Sequence, residues 1–251
     1  MFVVVIHYHG TPITPRATLL QLAGRSFCVS FSSPRDVEVC HEIGEGVMLD
    51  NGAFSFWTVS RAVDWQGFYG WVEPWLAYRT SWAVIPDMID GDARANDRLL
   101  AAWPFGERGA PVWHPHEPLV RLGRLAASWP RVCIGGSPAF STIRSPRWHA
   151  RMREAMDHLC GSGPAPTWLH LLRGMALAGS DYPLASVDSS SIARNHHGAP
   201  SRGAPPRDPA ARVAQTDARQ CPGRWRPAAP QLALLGDGDG KTLERRRVGT
   251  A

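Results

Sequence analysis

Short apolar runs alternate with amphipathic stretches along the first 195 residues of the chain. "FVVVIHYH", "SFCVSFS", "GVMLDNG", "WAVIPDMID", "APVWHPHE", "RVCIGGSP", "TWLHLLRG" and "LASVDSSS" are apolar and bounded by Gly, Pro, Asp or Ser, the signature of strands. Between them, "TPRATLLQLAG", "DARANDRLLAAW", "PLVRLGRLAASW" and "RWHARMREAMDHLC" carry helical spacing. "WQGFYGWVEPWLAYR" also reads as a helix, continuing through Pro74. Strands alternating with helices predict a parallel sheet with crossover helices, and about eight strands predict a small α/β TIM-type (β/α)8 barrel over an open doubly wound sheet.

Polar residues recur where these strands end: His7 and His9, Asp50, Asp87, His114 and His116, Gly135 and Gly136, and Asp188. Barrel active sites are built at that end of the strands. After Asn195 the texture changes. Residues 196–251 are rich in Pro, Arg, Ala and Gly without sustained periodicity, so the expected division is a barrel over 1–195 and a disordered basic tail over 196–251. Within that tail only "LALLG" has the character to dock on a barrel. No internal repeat is visible.

Composition changes this picture in two places. The net charge of +5 resides wholly in the tail: residues 1–195 carry 17 arginines against 17 acidic residues, while residues 196–251 carry 10 basic and 5 acidic residues. An argument for nucleic-acid binding from overall charge therefore rests on the tail. The five cysteines are scattered without a CxxC, as suits free buried thiols in a reducing cytoplasm. "MFVVVIHYHG" lacks the basic flank and length of a signal peptide, and no apolar run approaches a membrane span, so a cytoplasmic protein without membrane association is expected.

Asp50, Asp87 and Asp188 each follow an apolar strand. Any one fits an Asx-turn or a helix N-cap. Together they suit a site where one carboxylate attacks or stabilises an anomeric carbon and another moves protons. The pairs "HYH" and "HPH" suggest a metal-dependent hydrolase barrel instead, because residues i and i+2 of a strand share a face. A bridging lysine for such a site is missing from the barrel, since the single lysine is Lys241. Most of the 11 tryptophans are expected in packing, with one or two free to stack on a base. Seven arginines and no acidic residue fall within 121–153. They form either a solvated helix face or a surface that tracks phosphates.

The strand-end motifs resemble the tRNA-guanine transglycosylases, and especially their short phage-type relatives that place 7-deazaguanines in DNA. "DNGAFS", Asp50 to Ser55, resembles the family's Asp-Ser-Gly-Gly-Phe-Gln motif, and "DSSSIARN", from Asp188 to Asn195, resembles its nucleophile motif. "IPDMID" and "CIGGSP" are similar to the base-reading strand and the Gly-Gly turn, and "YHGTPIT" to the opening of the DNA-acting relatives. The resemblance implies an eight-stranded barrel and base exchange through a covalent Asp188–sugar intermediate. It implies Asp50 as general acid/base, Asn51 with Gly52 in a tight turn beneath the base, and Phe54 stacked on it. Asp87 would read the N1 and 2-amino side, and Gly136 with Gly135 would donate backbone hydrogen bonds to O6. His114 would line the same pocket. Apart from the resemblance, Arg144, Arg147 and Arg151 of the acid-free stretch, with Arg194, are expected to hold the nucleic-acid backbone.

The implied partners are DNA, or alternatively tRNA, and a 7-deazaguanine base such as preQ0; no cofactor is implied. The tRNA enzymes follow the nucleophile with a zinc site of three cysteines and a histidine. Only Cys221 lies beyond Asp188, so no structural metal is expected and the smaller DNA-type enzyme is favoured. A closing helix should follow Asp188, and "HHGAPSRGAPPRDP" is a poor one. An incompletely closed barrel in an inactive nucleic-acid-binding remnant is the third expectation, beside the transglycosylase and the hydrolase.

Overall fold

The computed structural model describes residues 4–161, 163, 165–195 and 223–227. Nine parallel strands form one sheet in the order β5-β4-β3-β2-β1-β9-β8-β7-β6. They are β1 (Ile6–Gly10), β2 (Ser26–Ser30), β3 (Gly46–Asp50), β4 (Ser81–Val84), β5 (Gly109–Ala110), β6 (Val112–Trp113), β7 (Arg131–Ile134), β8 (Trp168–Leu171) and β9 (Ser186–Ser189). The helices are α1 (Arg16–Leu20), α2 (Val37–Ile43), α3 (Ala53–Thr58), α4 (Trp65–Val72), α5 (Ala93–Ala101), α6 (Leu119–Ser128), α7 (Pro146–Cys160) and α8 (Ser191–Asn195).

The two edges of this sheet are β5 and β6, which are successive pieces of one short chain segment separated only by Pro111. Proline has no N–H for a ladder, so the strand is interrupted there. Ala110 O accepts from Ile85 N on one side, and Pro111 O accepts from Cys133 N on the other. The sheet is therefore rolled into a nearly closed barrel with its seam at Pro111. The barrel is as small as expected, but its weak point is this seam and not the C-terminal end. β9 pairs with both β1 and β8, and α8 directly follows it.

Side-chain alternation decides what faces where. Phe27 and Val29 of β2 and Val47 and Leu49 of β3 point outward into a core shared with the helices. Val132 and Ile134 of β7, Leu169 and Leu171 of β8, and Val187 of β9 do the same on the other side. Tyr8, Cys28, Met48, Trp82, Val84, Ala110, Val112 and Cys133 fill the barrel interior. Because the strand period is two, the alternating partners Asp50, His170 and Asp188 share that interior parity. A one-residue slip of any strand would exchange the two sets. Each large apolar side chain misplaced that way forfeits about 1.5–3 kcal/mol, which holds the register and with it the polar ends.

Several expectations need correction. The helix foreseen through Pro74 stops at Val72, and Pro74 instead begins a 3-10 turn at Trp75–Ala77. The strand foreseen over "WAVIPDMID" ends at Val84, so Asp87 lies in the loop beyond it. α2 and α3 had no counterpart in the sequence reading, because each is short and α3 is dense in aromatics. The disordered-tail expectation, "LALLG" and Cys221 lie outside the described residues. Within the tail, 223–227 are described, and Trp225 stacks on Tyr182 at 5.6 Å and donates from Nε1 to Asp157 Oδ1 at 2.7 Å.

Candidate active site

The strand ends of β1, β2, β3 and β9, with the loops after β4, β6, β7 and β8, enclose a cavity of about 810 Å³. Asp50, Asn51, Phe54, Asp87, His114 and Asp188 all line it, as do Gly135, Gly136 and Arg194. Arg144, Arg147 and Arg151 do not.

"DNG" at the end of β3 is a turn with two functions. Gly52 has φ +75°, and a Cβ there would lie 2.9 Å from the Phe56 ring, so only glycine fits. Its N–H donates to Asp50 Oδ2 at 3.1 Å. Asn51 is buried and fully committed: Nδ2 donates to Ile85 O at 2.8 Å and to Asp87 Oδ1 at 2.7 Å, while Oδ1 accepts from Ala53 N at 2.8 Å. Asn51 thus ties the β3 turn to Asp87 and starts α3; it is a positioning residue.

Asp50 lines the cavity beside this turn with its carboxyl pushed up to about 6. Burial is the main cause; the Asp188 and Asp87 charges add to it, against hydrogen bonds from Ser30 and Gly52. Across the cavity Asp188 Oδ1 accepts from Arg173 N at 2.6 Å and faces His170 Nε2 at 3.3 Å. His170 Nδ1 meets the Ser186 hydroxyl at 2.8 Å, which fixes the ring. Cys28, between the two carboxylates' strands, is raised well above its ordinary value by burial and then by Asp188 and Asp50. It remains a protonated thiol and is no nucleophile at neutral pH.

His114 places Nε2 2.9 Å from Asp87 Oδ2, close in charge terms but without good hydrogen-bond alignment, and Nδ1 against Gly136 O. Burial disfavours the imidazolium, but Asp87, Glu117 and the Gly136 carbonyl outweigh it and raise the pKa. Two acceptors facing the two ring nitrogens fit a doubly protonated ring. Beneath it, buried Glu117 accepts from His114 N, Asn96 Nδ2 and Arg121 at 2.7–2.9 Å.

Other sequence-derived candidates fare differently. Both Asp87 oxygens already face protein partners, so a base would share them through remaining lone pairs. Gly135 N–H is spent on Trp113 O at 2.9 Å and cannot serve O6, which leaves Gly136. Phe54 stands at the rim, and the Arg173 guanidinium covers one of its faces at 3.8 Å. Arg151 is already engaged within the protein: it donates to Pro115 O and Glu117 O and pairs with Glu154. The seven-arginine stretch is not one surface. Arg121 and Arg124 pair with Asp97, and Arg131 opens β7 at the opposite end of the barrel. Arg144 and Arg147 remain exposed. Charge along a sequence is dispersed when a strand and two helices carry it to different places.

The metal-hydrolase expectation is also corrected. Tyr8 points into the barrel, so His7 and His9 face the helix layer instead. Burial first, then His7 and Arg25, lowers His9 to about 4. His116 bonds Gly91 O in a loop. Among the described residues, no group of three His, Cys, Asp or Glu is arranged for a metal.

Sequence reasoning missed His170 and Arg173. His170 has the parity of Asp188 on the neighbouring strand, which is a usable signal. Arg173 has none: its role depends on a left-handed backbone, φ +58°, that carries its N–H to Asp188 and its side chain to Phe54.

Comparison with family models, curated proteins and solved structures found no match to this chain. No described helix is long and apolar enough to cross a membrane.

Proposed function

We propose that the protein is a base-exchange transglycosylase that replaces guanine in DNA by a 7-deazaguanine of the preQ0 type. The observation that carries the reading is the pair Asp50 and Asp188, delivered from β3 and β9 to one cavity in unlike environments. Dissimilar carboxylates facing one site are suited to different roles.

Asp188, oriented by Arg173 N–H and His170, attacks C1′ of the target nucleotide. The C1′–N9 bond breaks, its electron pair leaves with guanine, and protonated Asp50 supplies the proton. The sugar is then held as an ester of Asp188. The incoming base loses its N9 proton to the Asp50 carboxylate and attacks C1′, releasing Asp188. Both carboxyls return to their starting states, so the cycle needs no redox or nucleotide cofactor. Asp87, braced by Asn51 and His114, faces the donor edge of the base, and Phe54 with Arg173 closes the rim. The base reaches this depth only after leaving its stack.

The test incubates purified protein with guanine-containing DNA and preQ0, with tRNA in parallel, and analyses nucleosides by mass spectrometry. Guanine release matched one for one by deazaguanine in DNA is expected. Exchange in tRNA alone would move the substrate, and exchange in neither would overturn the reading.

A further inference from the structure

The opposite mouth of the barrel, at the N-terminal ends of the strands, holds a second cavity of about 480 Å³. Barrel chemistry sits at the other end, and this face is ordinarily plugged for stability. Here the plug is cationic. Arg131, the first residue of β7, packs on two indoles, with its Cζ 4.6 Å from the Trp82 ring centroid and 5.1 Å from that of Trp168. Its Nε is buried without a hydrogen-bond partner, and no carboxylate pairs with it among the described residues.

A second guanidinium lines the same cavity. Arg108 spends its terminal nitrogens on the carbonyls of Leu76, Tyr78 and Arg79, but its Nε is likewise buried and unpartnered. The two cations are near enough that Arg108 helps lower the Arg131 pKa, after burial as the main cause. Exposed Arg79, Glu45 and Glu107 stand at the rim. Arg131, Arg108 and Arg79 outnumber Glu45 and Glu107 around this cavity, which leaves it net positive and open to an anion.

We propose that this cavity is an oxyanion site, independent of the C-terminal one, that takes a phosphate group. Arg131 lines this cavity beside the two indoles, and the terminal N–H groups of a guanidinium form a fork of donors matched to a phosphate. Tyr8, whose hydroxyl accepts from Trp82 Nε1, lines the cavity with its own O–H proton to donate. The volume admits more than a bare ion, so the phosphate is either free or borne by a small organic molecule such as a nucleoside monophosphate.

Thermal unfolding of the full chain in inorganic phosphate, with chloride holding ionic strength constant, tests this. A saturable rise in Tm is expected for the wild type. The rise should vanish in Arg131→Gln, weaken about tenfold or more in Arg131→Lys, which keeps the charge and loses the fork, and persist in Arg173→Ala at the other cavity. Guanosine monophosphate in a parallel titration separates the sources: saturation at a lower concentration than phosphate identifies an organic phosphate, and equal or weaker saturation a free one. No rise in the wild type, an equal rise in Arg131→Gln, or loss in Arg173→Ala overturns the proposal. If Arg131→Gln does not fold, Glu107→Gln decides. Removing that rim carboxylate must tighten phosphate about twofold or more, and an unchanged midpoint overturns the site.

Discussion

In the proposed reaction Asp188 and Asp50 are the same residue type with opposite tasks, and their unlike neighbours are the physical basis for the division. Asp188→Asn keeps the shape and the Arg173 hydrogen bond but cannot attack C1′, so no covalent sugar adduct should appear on denaturing gels, with DNA binding retained. Asp50→Asn should stop turnover while a slow adduct still accumulates, because loss of the proton donor slows the first step and blocks the return. Its stability effect has the opposite sign. The folded pKa of about 6 lies above the ordinary 3.8, so the carboxyl favours folding only while protonated. That contribution is complete below pH ~4 and is lost as pH rises through ~6. Asp50→Asn should therefore raise unfolding stability at pH 7 by up to ~2 kcal/mol, discounted for the opening onto the cavity, with the gain disappearing near pH 4. Equal denaturation midpoints at pH 7 would show Asp50 to be unperturbed.

The same logic operates between elements, where a few connections hold the site in place. Gly52 joins β3 to α3 in a left-handed conformation and against the Phe56 ring. Gly52→Ala should cost about 1–3 kcal/mol in chemical denaturation and reduce exchange further than stability alone explains, because the turn aims Asp50. Glu117 is the corresponding joint after β6, linking His114, α5 through Asn96 and α6 through Arg121. Glu117→Ala leaves Arg121 buried with only Asp97 as a carboxylate partner, so a loss of about 3–5 kcal/mol is expected. Chemical denaturation of that variant measures it, and a loss below ~1 kcal/mol would show the network to be dispensable. The turn chemistry of "DNG" was visible in the chain. The Glu117 joint was not, because its partners stand 4 and 21 residues away in directions that only packing sets.

For the whole molecule, charge and fold are separable. The barrel is electrically neutral over residues 1–195, and the entire +5 lies beyond it. Truncation after residue 195 should therefore remove most of the salt dependence of DNA binding. Arg144→Ala combined with Arg147→Ala should lower the slope of log affinity against log salt by about 0.7–0.9 for each phosphate no longer neutralised. Measuring both slopes ranks the two sources. If only the double variant changes the slope, the exposed start of α7 holds the nucleic-acid backbone. Truncation also removes Trp225, which lies flat on Tyr182, so the shortened barrel should be somewhat less stable as well.

The amino-acid pattern by itself determined the alternation of strands and helices and the placement of Asp50 and Asp188 at strand ends. Those follow from local periodicity and turn chemistry, which act over a few residues. Tertiary structure alone decided the remainder. It turned His7 and His9 to the helix layer because Tyr8 took the interior, and it dispersed the 121–153 arginines between two ends of the barrel. It split the strand at Pro111 to make the seam, and it brought Arg173 to Asp188. Each depends on which strands become neighbours. That is set by the summed packing of both sheet faces, a long-range quantity that no short stretch of sequence contains.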